Sequence, residues 1–132
     1  MKLLVNLDVP DLEQAARTYT QAFGLHRGRR IGEGGLELLG AAVPLYLLQQ
    51  PEGSIGAGGQ PRDYRRHWTP VHLDVAVEDL ELALARAQAA GLTRETEVRH
   101  AAWGSIATLR DPFGHGWCLI QFTDAGYDAI VQ

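Results

Sequence analysis

His72 and Asp74 stand two residues apart in the alternating segment Val71 to Val77, so an extended chain places both side chains on one face. An imidazole oriented by a nearby carboxylate is the smallest device able to accept and return a proton near neutral pH. The same pair also suits a structural role, a strand histidine hydrogen-bonded to its neighbour. Cys118 alternates with Trp117 and Leu119 and shares its face with Ile120 and Phe122. As the sole cysteine it forms no intramolecular disulfide and cannot alone build a zinc-finger-type site, which leaves packing, pocket lining or reactivity. Tyr46 and Leu48 occupy a similar face in an earlier apolar run, and Asn6 occupies one near the start. These residues predict an apolar pocket with a few polar groups, the usual character of a small-molecule site.

The elements that position them repeat. Val5-Asn6-Leu7-Asp8-Val9 runs on through Asp11 to Gly24, and Val71-His72-Leu73-Asp74-Val75 runs on through Asp79 to Gly91, 66 residues later in a chain of 132. The repeat divides the chain into two similar modules and places Asn6 opposite His72, on the two walls of a site between them. In the first module a strand over Leu3 to Val9 leads to a helix over Asp11 to Phe23, capped by Asp11 and stopped by Gly24. Strands follow at Leu25 to Ile31, Leu36 to Gly40 and Val43 to Gln50. In the second, a strand at Val71 to Val77 leads to a helix over Leu80 to Ala90, capped by Asp79 and ended by Gly91 as Gly24 ends the first. Strands then follow at Glu95 to Arg99, Gly104 to Arg110 and Gly116 to Phe122, with an Asp111-Pro112-Phe113-Gly114 turn before the last. The fold class is therefore α+β, two tandem βαβββ modules within one domain: residues 1–50, a linker over 51–68, and residues 69–132. Ala125 to Val131 carries a weak helical signal.

Composition narrows the function. A hydrophobic fraction of 45% with 21% charged residues fits a globular chain, and no stretch reaches the roughly 18 to 20 apolar residues that span a bilayer. Asn6 and Asp8 interrupt the apolar start before a signal-peptide core forms, so a cytoplasmic location is expected. A net charge of −4 argues against binding a nucleic-acid backbone. The one basic cluster, Arg62, Arg65, Arg66 and His67 around Tyr64, reads as a solvated linker, a grip on an anionic substrate, or part of a subunit interface. Trp68, Trp103 and Trp117 read as core or interface residues.

The repeat, the paired βαβββ pattern and Asp111-Pro112-Phe113-Gly114-His115 before the last strand resemble the vicinal oxygen chelate superfamily. That superfamily includes glyoxalase I, extradiol dioxygenases, fosfomycin-resistance proteins and bleomycin-binding proteins. The resemblance spans nearly the whole chain, most specifically His72 to Leu80 and the Asp111 turn. It implies a cupped mixed sheet with the substrate inside, a homodimer, and in some members a divalent metal held by the first and fourth strands of each module. His72 matches the second module's histidine position, whereas Cys118 stands at its glutamate position. The first module offers Leu4 or Asn6, depending on alignment, and Tyr46. The resemblance thus leaves the metal set incomplete, with Asp8, Asp74 and Gln49 as compensating oxygens, and the expectation is no metal cofactor. Zinc on His72, Cys118 and Asp74 is the best-fitting alternative.

The expected function is a glyoxalase-like protein that binds a small organic molecule, touching Asn6, Tyr46, His72, Cys118 and Ile120, with His72 and Asp74 as the candidate catalytic pair. Turnover is left open. The alternatives are a metal-dependent lyase, isomerase or dioxygenase, and a non-catalytic protein that sequesters a drug or metabolite.

Overall fold

The computed structural model describes residues 1–132, and the chain divides into two compact units, Met1–Arg65 and Arg66–Gln132. The first unit runs β1 (Val5–Val9), α1 (Leu12–Phe23), β2 (His26–Ile31), β3 (Gly35–Leu39), β4 (Leu45–Gln49). Its sheet has the order β1-β4-β3-β2, with β1 and β4 parallel and the remaining pairs antiparallel. The second unit runs β5 (Leu73–Ala76), α2 (Leu80–Ala89), β6 (Thr93–Arg94), β7 (Arg99–Ala101), β8 (Gly104–Arg110), β9 (Gly116–Phe122), then a 3₁₀ turn over Gly126–Ile130. Its order is β5-β9-β8-β6, with β7 also paired to β8, and β5 and β9 are parallel.

Both helices start as the sequence predicts. Asp11 Oδ1 accepts from the Gln14 amide at 2.9 Å and Asp79 Oδ1 from the Leu82 amide at 3.0 Å, each satisfying a free N–H of the first turn. The helices end differently. Gly24 (φ 70°) donates back to the Thr20 carbonyl, a single αL stop. In α2, Ala90 keeps right-handed geometry and Gly91 (φ 109°) takes the turn. Gly91 N–H then reaches Gln88 O and Leu92 N–H reaches Ala87 O, a Schellman closure.

Helix α1 buries Leu12, Ala15, Ala16, Tyr19 and Ala22, and Val9, Leu36, Leu38, Leu45 and Leu47 are buried on its sheet. In the second unit Leu80, Leu84 and Ala87 of α2 and Ala107, Leu109, Trp117 and Leu119 of the sheet are buried. Removing such a buried leucine side chain costs about 2 to 5 kcal/mol.

Several strand limits differ from expectation. Strand β1 begins at Val5, opposite the first residue of β4, which itself starts after Pro44, a residue without an N–H to give a ladder; Leu3 and Leu4 are exposed. Strand β5 likewise begins at Leu73, leaving Val71 exposed and His72 just outside the ladder. The expected strand at Glu95 to Arg99 is replaced by β6 and β7, giving nine strands instead of eight. There the Thr108 amide donates to the Thr96 hydroxyl (2.9 Å) instead of to a backbone carbonyl, which interrupts the ladder. The stretch after β4 folds back on itself through an Ile55–Pro61 bridge and paired bonds between Gly53, Ser54 and Arg62.

Candidate functional site

In the second unit the register puts Asp74 of β5 beside Cys118 of β9, and Cys118 beside Thr108 of β8. His72, just before β5, has its Nε2 3.4 Å from Asp74 Oδ1, and both side chains are about a third exposed. The Trp68 ring packs against the His72 ring at a tilt of 44°, with centroids 5.0 Å apart. Ligand atoms of His72, Asp74 and Cys118 all lie within 4.8 Å of one another. Spacing alone brings the first two together; the parallel β5–β9 pairing adds the third.

Cys118 is buried and its Sγ stands 3.5 Å from Thr108 Oγ1. Burial pushes its thiol up from the ordinary range and the Asp74 charge adds to the shift, while the Thr108 hydrogen bond opposes it. The sulfur is therefore a neutral thiol at neutral pH, a lining group more than a nucleophile. Ile120, opposite Ala76 in the register, is 2% exposed.

The Asp111 turn is structural. Its buried carboxylate accepts from the amides of Phe113 (2.8 Å) and His115 (3.0 Å) and from Trp117 Nε1 (2.9 Å). These bonds fix where β9 starts, and hence which β8 residue meets Cys118. Trp117 is a core residue, as expected; Trp68 is 62% exposed and is not.

The first unit builds the corresponding face with other residues. Asn6 of β1 pairs with Tyr46 of β4, and Tyr46 with Glu37 of β3. Because Asp11 and Asp79 both cap helices, and Gln49 and Gln121 both accept from the first helical amide (Leu12, 2.9 Å; Leu80, 2.8 Å), the units align element by element. Asn6 then corresponds to Asp74, Tyr46 to Cys118 and Leu4 to His72. Of the two alignments that the sequence allowed, the 66-residue one that set Asn6 against His72 is thus corrected in favour of the one by helix caps, offset by 68; strand alternation alone did not decide, because a two-residue slip preserves it.

Glu37 is the residue that the sequence reading missed. It is 4% exposed and bound by Arg29 through its amide (3.2 Å), Nε (3.1 Å) and Nη2 (2.8 Å), with the Tyr46 hydroxyl donating to Oε2 at 3.0 Å. Arg29 holds its carboxyl at about 2. The signal was a lone charge within the apolar run Leu36-Glu37-Leu38-Leu39. Two of the proposed compensating oxygens are committed elsewhere: Gln49 caps α1, and Asp8 accepts from Arg62 Nε at 2.7 Å.

The basic cluster is likewise tied down. Arg62 also donates to Ser54 and to the Ile55 carbonyl, Arg65 pairs with Asp63, and Arg66 forks onto Glu95 with both side chains about one-fifth exposed. Glu95 pulls Arg66 up from its ordinary value, chiefly by this hydrogen bonding, and Arg66 lowers Glu95 in return.

Two units of β-α-β topology, each with its last strand laid parallel to its first, define the vicinal oxygen chelate fold. The chain belongs to the Glyoxalase-like domain family, which matches residues 4–120. An uncharacterized protein of Mycobacterium bovis is 30% identical over 122 residues, covering 88% of this chain and 80% of the relative. Among solved structures, a genomically encoded fosfomycin resistance protein from Listeria monocytogenes is similar with a TM-score of 0.71 at 16% identity, covering 94% of each chain. A glyoxalase-related enzyme from Fulvimarina pelagi gives 0.70 at 19% identity over 92% of this chain and 87% of its own. At these identities the likeness is one of fold. No helix is long and apolar enough to cross a membrane.

Proposed function

We propose that the protein binds a small organic molecule at the strand face carrying His72, Asp74 and Cys118, with His72 as the proton-handling group and Asp74 orienting it. The observation that carries this reading is the convergence of the three groups within 4.8 Å beside buried apolar strand residues. Asn6 and Tyr46 form the first unit's own polar strand face and are the further candidates for ligand contact, with Ile120 as an apolar neighbour of Cys118. His72→Ala is expected to abolish binding of a fragment that perturbs the His72 ring signals in NMR, with little change in melting temperature because the side chain is partly exposed. Fragments that bind His72→Ala as tightly as the wild type would overturn the assignment. Measured turnover of a bound compound separates an enzyme from a sequestering protein.

A second reading is favoured by the same triad. An imidazole, a carboxylate and a thiol suit a four-coordinate zinc-type ion with one open position, and fit poorly an octahedral ion preferring oxygen. His72, Asp74 and Cys118 would hold it, and it would supply Lewis-acid chemistry to a ligand oxygen. Binding requires the Cys118 proton to leave, so zinc affinity should rise with pH. Elemental analysis of purified protein, with thermal-shift titrations of Zn²⁺, Mn²⁺ and Ni²⁺, tests it. Stoichiometric zinc that is lost in His72→Ala supports the metal reading, and no ion-specific stabilisation excludes it.

A further inference from the structure

We propose that Tyr46 is a hydrogen-bond-accepting subsite that selects neutral ligands bearing a hydroxyl or N–H group. The proposal deepens the small-molecule reading above and rests on it. A tyrosine hydroxyl has one proton to give and lone pairs to receive. Tyr46 gives its proton to Glu37 Oε2, and Glu37 is ionised at any physiological pH. An ionised carboxylate is acceptor-only, so this direction is forced: Tyr46 donates to Glu37 and has only acceptor capacity left for anything else.

Tyr46 cannot readily turn that proton to another partner, because Glu37 is held in place to accept it. Glu37 is buried, three bonds from Arg29 fix its orientation, and the strand register sets it directly beside Tyr46. The half-buried phenol is therefore preorganised as an acceptor. Charge narrows the ligand further. Arg29 neutralises Glu37, and Arg62 pairs with Asp8 on the same strand as Asn6, so the face presents matched charges. An anionic group at Tyr46 would meet lone pairs backed by a carboxylate, whereas an alcohol, phenol or amide N–H would complete a hydrogen bond. Asn6, the register partner of Tyr46, offers both a donor and an acceptor and adapts to either side of such a group.

The test uses protein carrying ¹³C-labelled tyrosine, with the Tyr46 signal assigned through Tyr46→Phe, and titrates phenol, anisole and benzoate. Phenol should move the Tyr46 signal at a concentration about fivefold or more below that needed for anisole, the ratio expected from one hydrogen bond, and benzoate should not move it. In Tyr46→Phe, phenol and anisole should bind equally, as followed by the Asn6 side-chain amide. In Glu37→Leu, which offers no acceptor, Tyr46 regains a free proton and the preference should shift toward anisole. Equal phenol and anisole affinities in the wild type, a preference that survives Tyr46→Phe, or no Tyr46 response to any probe would each overturn the subsite. His72 signals, followed in the same titrations, report separately on the reading beneath it. A response at His72 without one at Tyr46 sinks the subsite alone, and silence at both sinks both.

Discussion

The thiol and the buried glutamate show how environment decides what a side chain does. Cys118 should react slowly with a thiol reagent in the native protein and rapidly in denaturant, since burial and the Asp74 charge favour its protonated form. Fast native labelling at neutral pH would mark an activated thiolate instead. Glu37 makes an opposite prediction about acid. Its folded carboxyl titrates near 2 against an ordinary 4.5, so its contribution to stability is complete above about pH 4.5 and fades as pH falls toward 2. The melting-temperature gap between wild type and Glu37→Gln should therefore be widest near neutrality and close on acidification; a gap independent of pH would refute the assignment. His72 and Asp74 were legible because strand alternation fixes a face. The Glu37 site was not, since its bond to Arg29 depends on the irregular β2–β3 register and its bond to Tyr46 on β3 lying beside β4.

At the scale of elements, both helices were legible from cap to stop because those signals are local: an aspartate before an apolar stripe and a glycine after it. The interrupted strand was not. Thr96 reads as an ordinary strand residue until its hydroxyl captures the Thr108 amide. Thr96→Val should lose that bond and lower stability by about 1 kcal/mol, measurable by denaturant unfolding. Asp111→Ala strips an acceptor from three donors, two backbone amides and an indole, and should cost roughly 3 kcal/mol while loosening the start of β9. A near-neutral Asp111→Ala would mean that the turn is held by its backbone alone. The Asp-Pro-Phe-Gly turn was visible in sequence as a turn, but the Trp117 bond that anchors it in the core was not.

For the whole molecule we expect a homodimer. Trp68, at 62% exposure, and Val71, at 80%, leave large apolar side chains open within one short segment of the second unit. Sedimentation should give a dimer at micromolar concentration, and Trp68→Ala should shift it toward monomer; a monomeric wild type would remove the idea. In each unit, moreover, the last strand in sequence lies between the first and the one that precedes it: β4 between β1 and β3, β9 between β5 and β8. As the polypeptide leaves the ribosome, β1 must wait some forty residues for the strand it bonds to in its sheet. The sheet of each half thus closes only when its final strand arrives, and a pause placed after the final strand of the first unit should matter more to yield than one placed before it.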